Sequence, residues 1–246
     1  MTTPYEKQFH IPASAVDCFD RLKPSQILDY MQEVAGDHST MLGLSRQTLV
    51  EQGLFWAVIR HRVQITRLPK AGENITVKTW PMPTTRTAYP RSTILYDEDG
   101  KECLRAISLW VLMDKTTRAM VLPGKSGVEV EGLLLGSELM APGSIAPKAL
   151  VNTRQRTVLF TDLDWNGHMN NCRHLDWAMD LLPAEFHRQR SVSGFTVCYL
   201  SEATEGENLT LQWELEDGPC VTVNALRTEE NVSTGRGRVF ALQMQF

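Results

Sequence analysis

Between residues 160 and 177 the chain reads FTDLDWNGHMNNCRHLDW, and within it Asp164, Asn166 and His168 follow one another at intervals of two. A carboxylate, an amide and an imidazole at that spacing can move protons. Asp or His can activate water, and Asn has one donor and one acceptor with which to orient water or a carbonyl. Gly167 permits close backbone approach. The stretch leads into a helical pattern, so the helix N-terminus near Gly167–His168 is expected to favour a developing oxyanion. An architectural reading of the same residues stands beside this one. Asn-Gly is a common tight-turn pair, Asn170 and Asn171 can cap the helix, and His168 can be a satisfied loop histidine.

The elements that must position these residues are written twice. AGENITVKTW (71–80) and EGENLTLQWE (205–214) match at an offset of 134, each running into a strand with a tryptophan. LRAISLWVLM (104–113) pairs with GRVFALQMQF (237–246) at an offset of 133, which sets Arg105 on Arg238 and Leu109 on Leu242. Turn-rich gaps, YDEDGKE and RTEENVSTGRG, precede these last strands. Each half also has one helix before its strands. In the first, Ser25 is expected to cap QILDYMQEVAGDHSTML, with Ile27, Leu28, Met31, Val34, Ala35, Met41 and Leu42 at helical spacing. In the second, NNCRHLDWAMDLLP stops at Pro183, with Leu175, Ala178, Met179 and Leu182 on one face.

A strand, a helix and then a run of antiparallel strands fit a curved sheet wrapped round one helix, the hotdog arrangement. The fold class expected is therefore α+β, a tandem double hotdog. Its parts are an N-terminal domain over 1–125, a glycine- and proline-bearing linker over 126–148 and a C-terminal domain over 149–246. Aligning the helix starts at an offset of 144 places Asp164 on Asp20, Asn166 on Leu22 and His168 on Pro24. On that alignment the first copy has lost the polar groups, and the chemistry belongs to the second.

The 246 residues have a net charge of −4 and a mean hydropathy of −0.23, and no basic stripe runs along them. Nucleic acid is not an expected partner, and no apolar run reaches the ~18 residues of a membrane helix. Five cysteines without a C-x-x-C pair (Cys18, Cys103, Cys172, Cys198, Cys220) suit a reducing compartment. The expected location is the cytoplasm.

The motif Asp162-Leu-Asp164-Trp-Asn166-Gly-His168-Met-Asn170-Asn171 resembles the D-x-D-x-N-x-H-x-N-N of the acyl-acyl-carrier-protein thioesterases. YMQEVAGDH, WAVIRHRVQITRLPKAGENITVKTW and CYLSEA extend the likeness over nearly the whole chain. The resemblance implies two hotdog domains in tandem, no cofactor, and hydrolysis of fatty acyl thioesters on acyl carrier protein as substrate partner. It implies a catalytic set of Asp164, Asn166, His168 and, on a later strand, Glu202. Departures are Ala203, where the family often has Cys, and Leu200 and Ser201, where it usually has basic residues. They argue against a cysteine mechanism. Without a plastid-targeting segment the chain looks like a bacterial form, acting as a monomer or homodimer. Alternatives are an acyl-CoA thioesterase, a double-hotdog enoyl-thioester hydratase (whose Asp-x-Asn-Pro-x-His is one residue longer) and a non-catalytic acyl-binding module.

Other clusters carry less. Asp37-His38 with Asp29 and Glu33 lacks three-ligand spacing, so a solvated or capped helix end is expected rather than a metal site. HRQR (187–190) and RTAYPR (86–91) are expected to be solvated surface. Trp56, Trp80, Trp110 and Trp213 are expected in strand cores, one or two facing an acyl chain. Cys198, in the apolar FTVCYL and ~13 Å along a strand from Glu202, is not expected to be a nucleophile, nor is Cys172.

Overall fold

The computed structural model describes residues 2–216, 218–227 and 237–246; the turn-rich gap of the second copy, 227–237, lies almost wholly outside them. The chain divides into two units, one ending at Pro142 and one running from Gly143 to Phe246. The first has β1 (Tyr5–His10), a 3-10 turn (Ala13–Ala15), α1 (Pro24–Met41), α2 (Arg46–Glu51), β2 (Leu54–Ile65), β3 (Asn74–Pro81), β4 (Tyr89–Tyr96), β5 (Glu102–Asp114), β6 (Met120–Val121) and α3 (Pro123–Ser126). The second has β7 (Asn152–Thr157), a 3-10 turn (Phe160–Asp162), α4 (Arg173–Met179), α5 (Ala184–Gln189), β8 (Gly194–Tyr199), β9 (Asn208–Glu216), β10 (Cys220–Leu226) and β11 (Arg238–Gln245).

The antiparallel sheet of the first unit runs β1-β3-β4-β5-β2, with β6 on β5; that of the second runs β7-β9-β10-β11-β8. Numbered within its own unit, each is the order 1-3-4-5-2. The duplication read from two short anchors therefore extends to the topology.

Helix α1 lies against β3 and β1. Ile27, Leu28, Met31, Val34 and Ala35 are buried on its sheet side, while Met41 in the last turn is exposed. Its start differs from expectation. Lys23 is the N-cap and Pro24 the first helical residue, where a missing N–H goes unnoticed. Ser25 is not the cap, and its hydroxyl is buried without a partner among the described residues. In the second unit α4 is much shorter, seven residues against eighteen. Asn170 Oδ1 accepts the Cys172 N–H at its start, and the chain breaks out before Pro183, which caps α5.

The stretch read as a linker is laid down in two parts. Val128 closes a cluster of Leu49, Leu54, Tyr89 and Leu112. Leu133 N–H donates to Pro81 O, Trp80 Nε1 to Glu138, and Arg105 and Arg62 to the carbonyls of Ser137 and Met140. Gly132 runs so close to the 82–83 backbone that a Cβ there would stand 2.2 Å from Pro83 N. In the second unit Ile145 packs with Cys198 and Ala241, and Arg238 donates to Ile145 O.

The GEN anchor holds at 134. Gly72 and Gly206 have φ of 86° and 82°, and their N–H groups donate to Ile11 O and Val158 O. Positive φ explains the glycine. The second anchor slips by three. Cys103 O accepts from Thr66 and Arg67 as Val239 O accepts from Leu200 and Ser201, and both residues are passed over in the register with the neighbouring strand. The offset is 136, so Ala241 rather than Arg238 matches Arg105.

Candidate active site

The same comparison resets the alignment of the chemically interesting turn. Asp164 N donates to His168 O at 2.7 Å as Asp17 N donates to Arg21 O at 2.8 Å. Gly167 N donates to Asp164 O as Asp20 N does to Asp17 O. Gly167 and Asp20 both have positive φ, 79° and 57°. The isolated bridges Leu163–Met169 and Val16–Leu22 close the two turns. The offset here is 147, not 144. Asp164 matches Asp17, Asn166 matches Phe19 and His168 matches Arg21. The first copy has thus kept the aspartate and replaced the amide and the imidazole.

What the aspartate does is visible in both copies. Asp164 Oδ1 accepts the N–H of Asn166 at 2.8 Å and of His168 at 3.3 Å. Asp17 Oδ1 accepts those of Phe19 at 2.9 Å and Arg21 at 3.0 Å. Each carboxylate shapes its own turn, as Asp readily does. The second oxygens differ. Asp17 Oδ2 is neutralised by the Arg21 side chain at 2.9 Å, whereas Asp164 Oδ2 receives the Asn166 amide at 3.3 Å.

Glu202 reaches this turn from the other side. Met169 N donates to Ala203 O, and His168 bridges to Thr204. These ties carry Glu202 Oε2 to 3.5 Å from His168 Nε2, with the imidazole half-buried and the carboxylate exposed. The first copy makes the matching bond, Leu22 N to Pro69 O, so Leu68 stands where Glu202 does. Glu202 lies past the end of β8 rather than on a strand. The structure thus brings Asp164, Asn166, His168 and Glu202 together in one unit.

The oxyanion expectation changes. Helix α4 begins at Arg173, and the N–H groups of Gly167 and His168 are already given to Asp164. Neither residue sits at a helix N-terminus.

Two supporting residues escaped the sequence reading. Arg227, at the end of β10, donates to Ser201 Oγ at 2.7 Å, to the Glu202 carbonyl and to Glu207 Oε2 at 2.8 Å. It ties the stretch that follows β8 to the end of β10, across the intervening β11. Burial works against the Glu207 carboxylate, yet hydrogen bonds from Thr204 and Arg227 hold its pKa below the ordinary value. The signal for Glu207 was the repeat itself. Glu73 plays the same part, accepting from Lys70 N and Arg67. Asp162 is buried, accepting from Trp177 Nε1 at 3.2 Å and from Leu159 N at 3.0 Å, and so holds the base of the turn to α4.

Cys172 and Cys198 are buried, with Cys198 Sγ 3.8 Å from Gly143 O. Among the described residues no group of three His, Cys, Asp or Glu could hold a metal ion, and no helix is long and apolar enough to cross a membrane. Asp37 pairs with Lys7, as does Glu33, but His38 is buried rather than solvated. RTAYPR is surface only at its start: Arg86 and Thr87 are exposed, whereas Ala88, Tyr89, Pro90 and Arg91 are buried.

Comparison with known proteins follows the same division. The profile of the acyl-ACP thioesterase N-terminal domain matches residues 2–122, and that of the C-terminal domain matches residues 146–240. The chloroplastic palmitoyl-acyl carrier protein thioesterase of Gossypium hirsutum is 25% identical over 246 residues, covering 94% of this chain and 58% of its own. The chain thus spans less than two thirds of that relative. Among solved structures, an acyl-ACP thioesterase from Bacteroides thetaiotaomicron superposes with a TM-score of 0.82 at 22% identity, covering 99% of this chain and 97% of its own. The 12:0-ACP thioesterase of Umbellularia californica gives 0.79 at 20% identity, covering 98% and 96%. These likenesses show the tandem hotdog fold. With one profile on each unit and the duplicated sheet beneath both, the chain belongs to the acyl-ACP thioesterase family.

Proposed function

We propose that this protein hydrolyses the thioester of a fatty acyl group carried on acyl carrier protein. The observation that carries the reading is the His168–Glu202 pair, 3.5 Å apart in the second unit, where the first unit has Arg21 and Leu68 in the same folds of chain. Glu202 and His168 together take a proton from water. The water oxygen attacks the thioester carbonyl carbon, and the carbonyl electrons move onto oxygen. Collapse of that intermediate breaks the C–S bond, and the proton held by the pair goes to the leaving thiolate. Asn166, exposed beside them, orients the water or the carbonyl through its amide. Asp164 holds the turn. The second unit is read as catalytic and the first as the side that accommodates the acyl chain.

Several features support the carrier-bound substrate: the family to which the chain belongs, and the exposed Leu159, Phe160, Trp165 and Leu200 on the segments that carry the site. The test is turnover of acyl-carrier, acyl-CoA and 2-enoyl thioesters with free thiol as readout. Thiol release fastest from the carrier thioester is expected. Hydration of the enoyl substrate without thiol release, or no reaction with any of them, overturns the reading.

A further inference from the structure

In the first sheet, His61 on β2 lies opposite Ser108 on β5, and Ser108 lies opposite Arg91 on β4. Residues directly opposite share a face, and the face is the one toward α1. Arg91 Nη1 donates to His38 Nδ1 at 3.0 Å and to Thr79 Oγ1 at 3.3 Å, while His61 Nδ1 and Ser108 Oγ are 2.8 Å apart. Every member of this row is buried, Arg91 being 8% exposed. The second sheet has the same row, and there it reads Phe195, Met244 and Val221, all buried. The fold is therefore content with an apolar row, and the polar one is not an architectural need.

The polar row also fails to balance itself. Arg91 has no carboxylate within ion-pair distance among the described residues, and its Nε and Nη2 make no hydrogen bond there. Burial brings its pKa down only to about 10, so it remains a cation at neutral pH. Burial holds His61 at about 3; burial and then the charge of Arg91 hold His38 at about 4, so neither histidine adds or offsets charge. On the same face, Trp110 lies opposite Tyr89 and Trp56 packs edge-on against Tyr89. The N–H groups of both indoles are buried without an acceptor among the described residues. A buried cation and two unmatched donors make a wall rich in donors and short of acceptors, which is unfavourable unless something supplies the missing negative charge.

We propose that this wall is a binding site for the carboxylate of an aliphatic chain, with the free edge of the Arg91 guanidinium as the recognising group. A guanidinium already fixed by His38 and Thr79 presents its remaining N–H groups in the planar geometry that a carboxylate fits. Two sources offer that chemistry, a free fatty acid and the far end of an acyl chain that itself terminates in a carboxylate. Arg91 belongs to the first unit and the His168–Glu202 pair to the second, and the test does not depend on turnover.

Calorimetry on the whole chain carrying His168→Ala, so that thioester probes stay intact, compares decanoic acid with 1-decanol. The acid is expected to bind at least tenfold more tightly, and Arg91→Met to bring the two within about threefold. A further pair, the N-acetylcysteamine thioesters of decanoic acid and of decanedioic acid, separates the sources. Tighter binding of the carboxylate-ended thioester identifies the chain end; preference for the free acid alone identifies the released acid. If Arg91→Met does not fold, the triple change Arg91→Val, Ser108→Met, His61→Phe installs the row of the second sheet and must abolish the preference. Equal binding of acid and alcohol to the starting protein, or an acid preference that survives loss of Arg91, overturns the proposal.

Discussion

Asp17–Leu22 and Asp164–Met169 repeat one another down to individual hydrogen bonds, yet the later turn meets Glu202 where the earlier one meets Leu68. In both, an aspartate accepts two backbone N–H groups and a residue of positive φ reverses the chain. What differs is Phe19 against Asn166, Arg21 against His168 and Leu68 against Glu202. The shared part is what a turn of this shape requires, and the unshared part is free to serve something else. Asp164 falls on the shared side of that line. His168, Asn166 and Glu202 do not.

The sharpest way to break this division is by substitution in the second copy. His168→Ala, Glu202→Gln and Asn166→Ala are each expected to lower kcat by roughly 10²–10⁴ on an acyl-carrier thioester, with folding unchanged by circular dichroism. Asp164→Asn keeps an oxygen for the two N–H groups and is expected to stay within about tenfold of the starting activity. A hundredfold loss in Asp164→Asn alone would return the aspartate to the role of base.

A second test compares the units as wholes. Burial lowers the pKa of His61 to about 3 and of His174 to about 4, and burial with the Arg91 charge lowers that of His38 to about 4. In each the folded pKa lies below the unfolded value of about 6.5, so the stability it reflects is present above pH 6.5. That stability is lost as the pH falls from there toward the folded value. Each histidine contributes a slope of about 1.4 kcal/mol per pH unit in that window. The first unit holds two of the three, so its urea resistance between pH 6.5 and 5 should fall about twice as steeply, read by hydrogen exchange resolved by unit. Equal slopes would show that the histidines are not held neutral.

Third, Asp17→Ala and Asp164→Ala remove the same pair of acceptor bonds and should destabilise by similar amounts, about 1–3 kcal/mol in denaturant titration. A large inequality would mean that the two turns are not the same device. The smallest effect is expected for Cys172→Ser and Cys198→Ser, which should retain activity within a few-fold. Loss beyond a hundredfold without unfolding would bring back a covalent cysteine mechanism.

How much of this was legible before the fold was known depends on the residue. The GEN anchors and the Asp-x-Asn-x-His spacing located the duplication and the turn, because positive φ and turn chemistry demand particular side chains. Register was harder. Val239–Leu242 is buried on both faces, so no alternation marks its phase, and matching residue types alone leaves the register three residues off. The helix starts mislead in the same way, since Pro24 and Arg173 begin unlike helices and the turn before them is what aligns. Nothing in RTAYPR marks Arg91 for burial, because an arginine there carries no sign of what will cover it. Arg227 was out of reach, since its part in the site depends on a strand pairing.

The segment from Pro123 to Pro142 bears on any attempt to dissect the chain. The family profile for the first domain stops at residue 122, but Trp80 has its indole N–H on Glu138 and Val128 plugs the cluster round Leu112. A fragment ending at Leu122 would leave that tryptophan and those apolar side chains facing water, inviting aggregation. The compact unit runs on to Pro142, twenty residues past the end of that profile, so a proteolytic cut there would leave the cover in place.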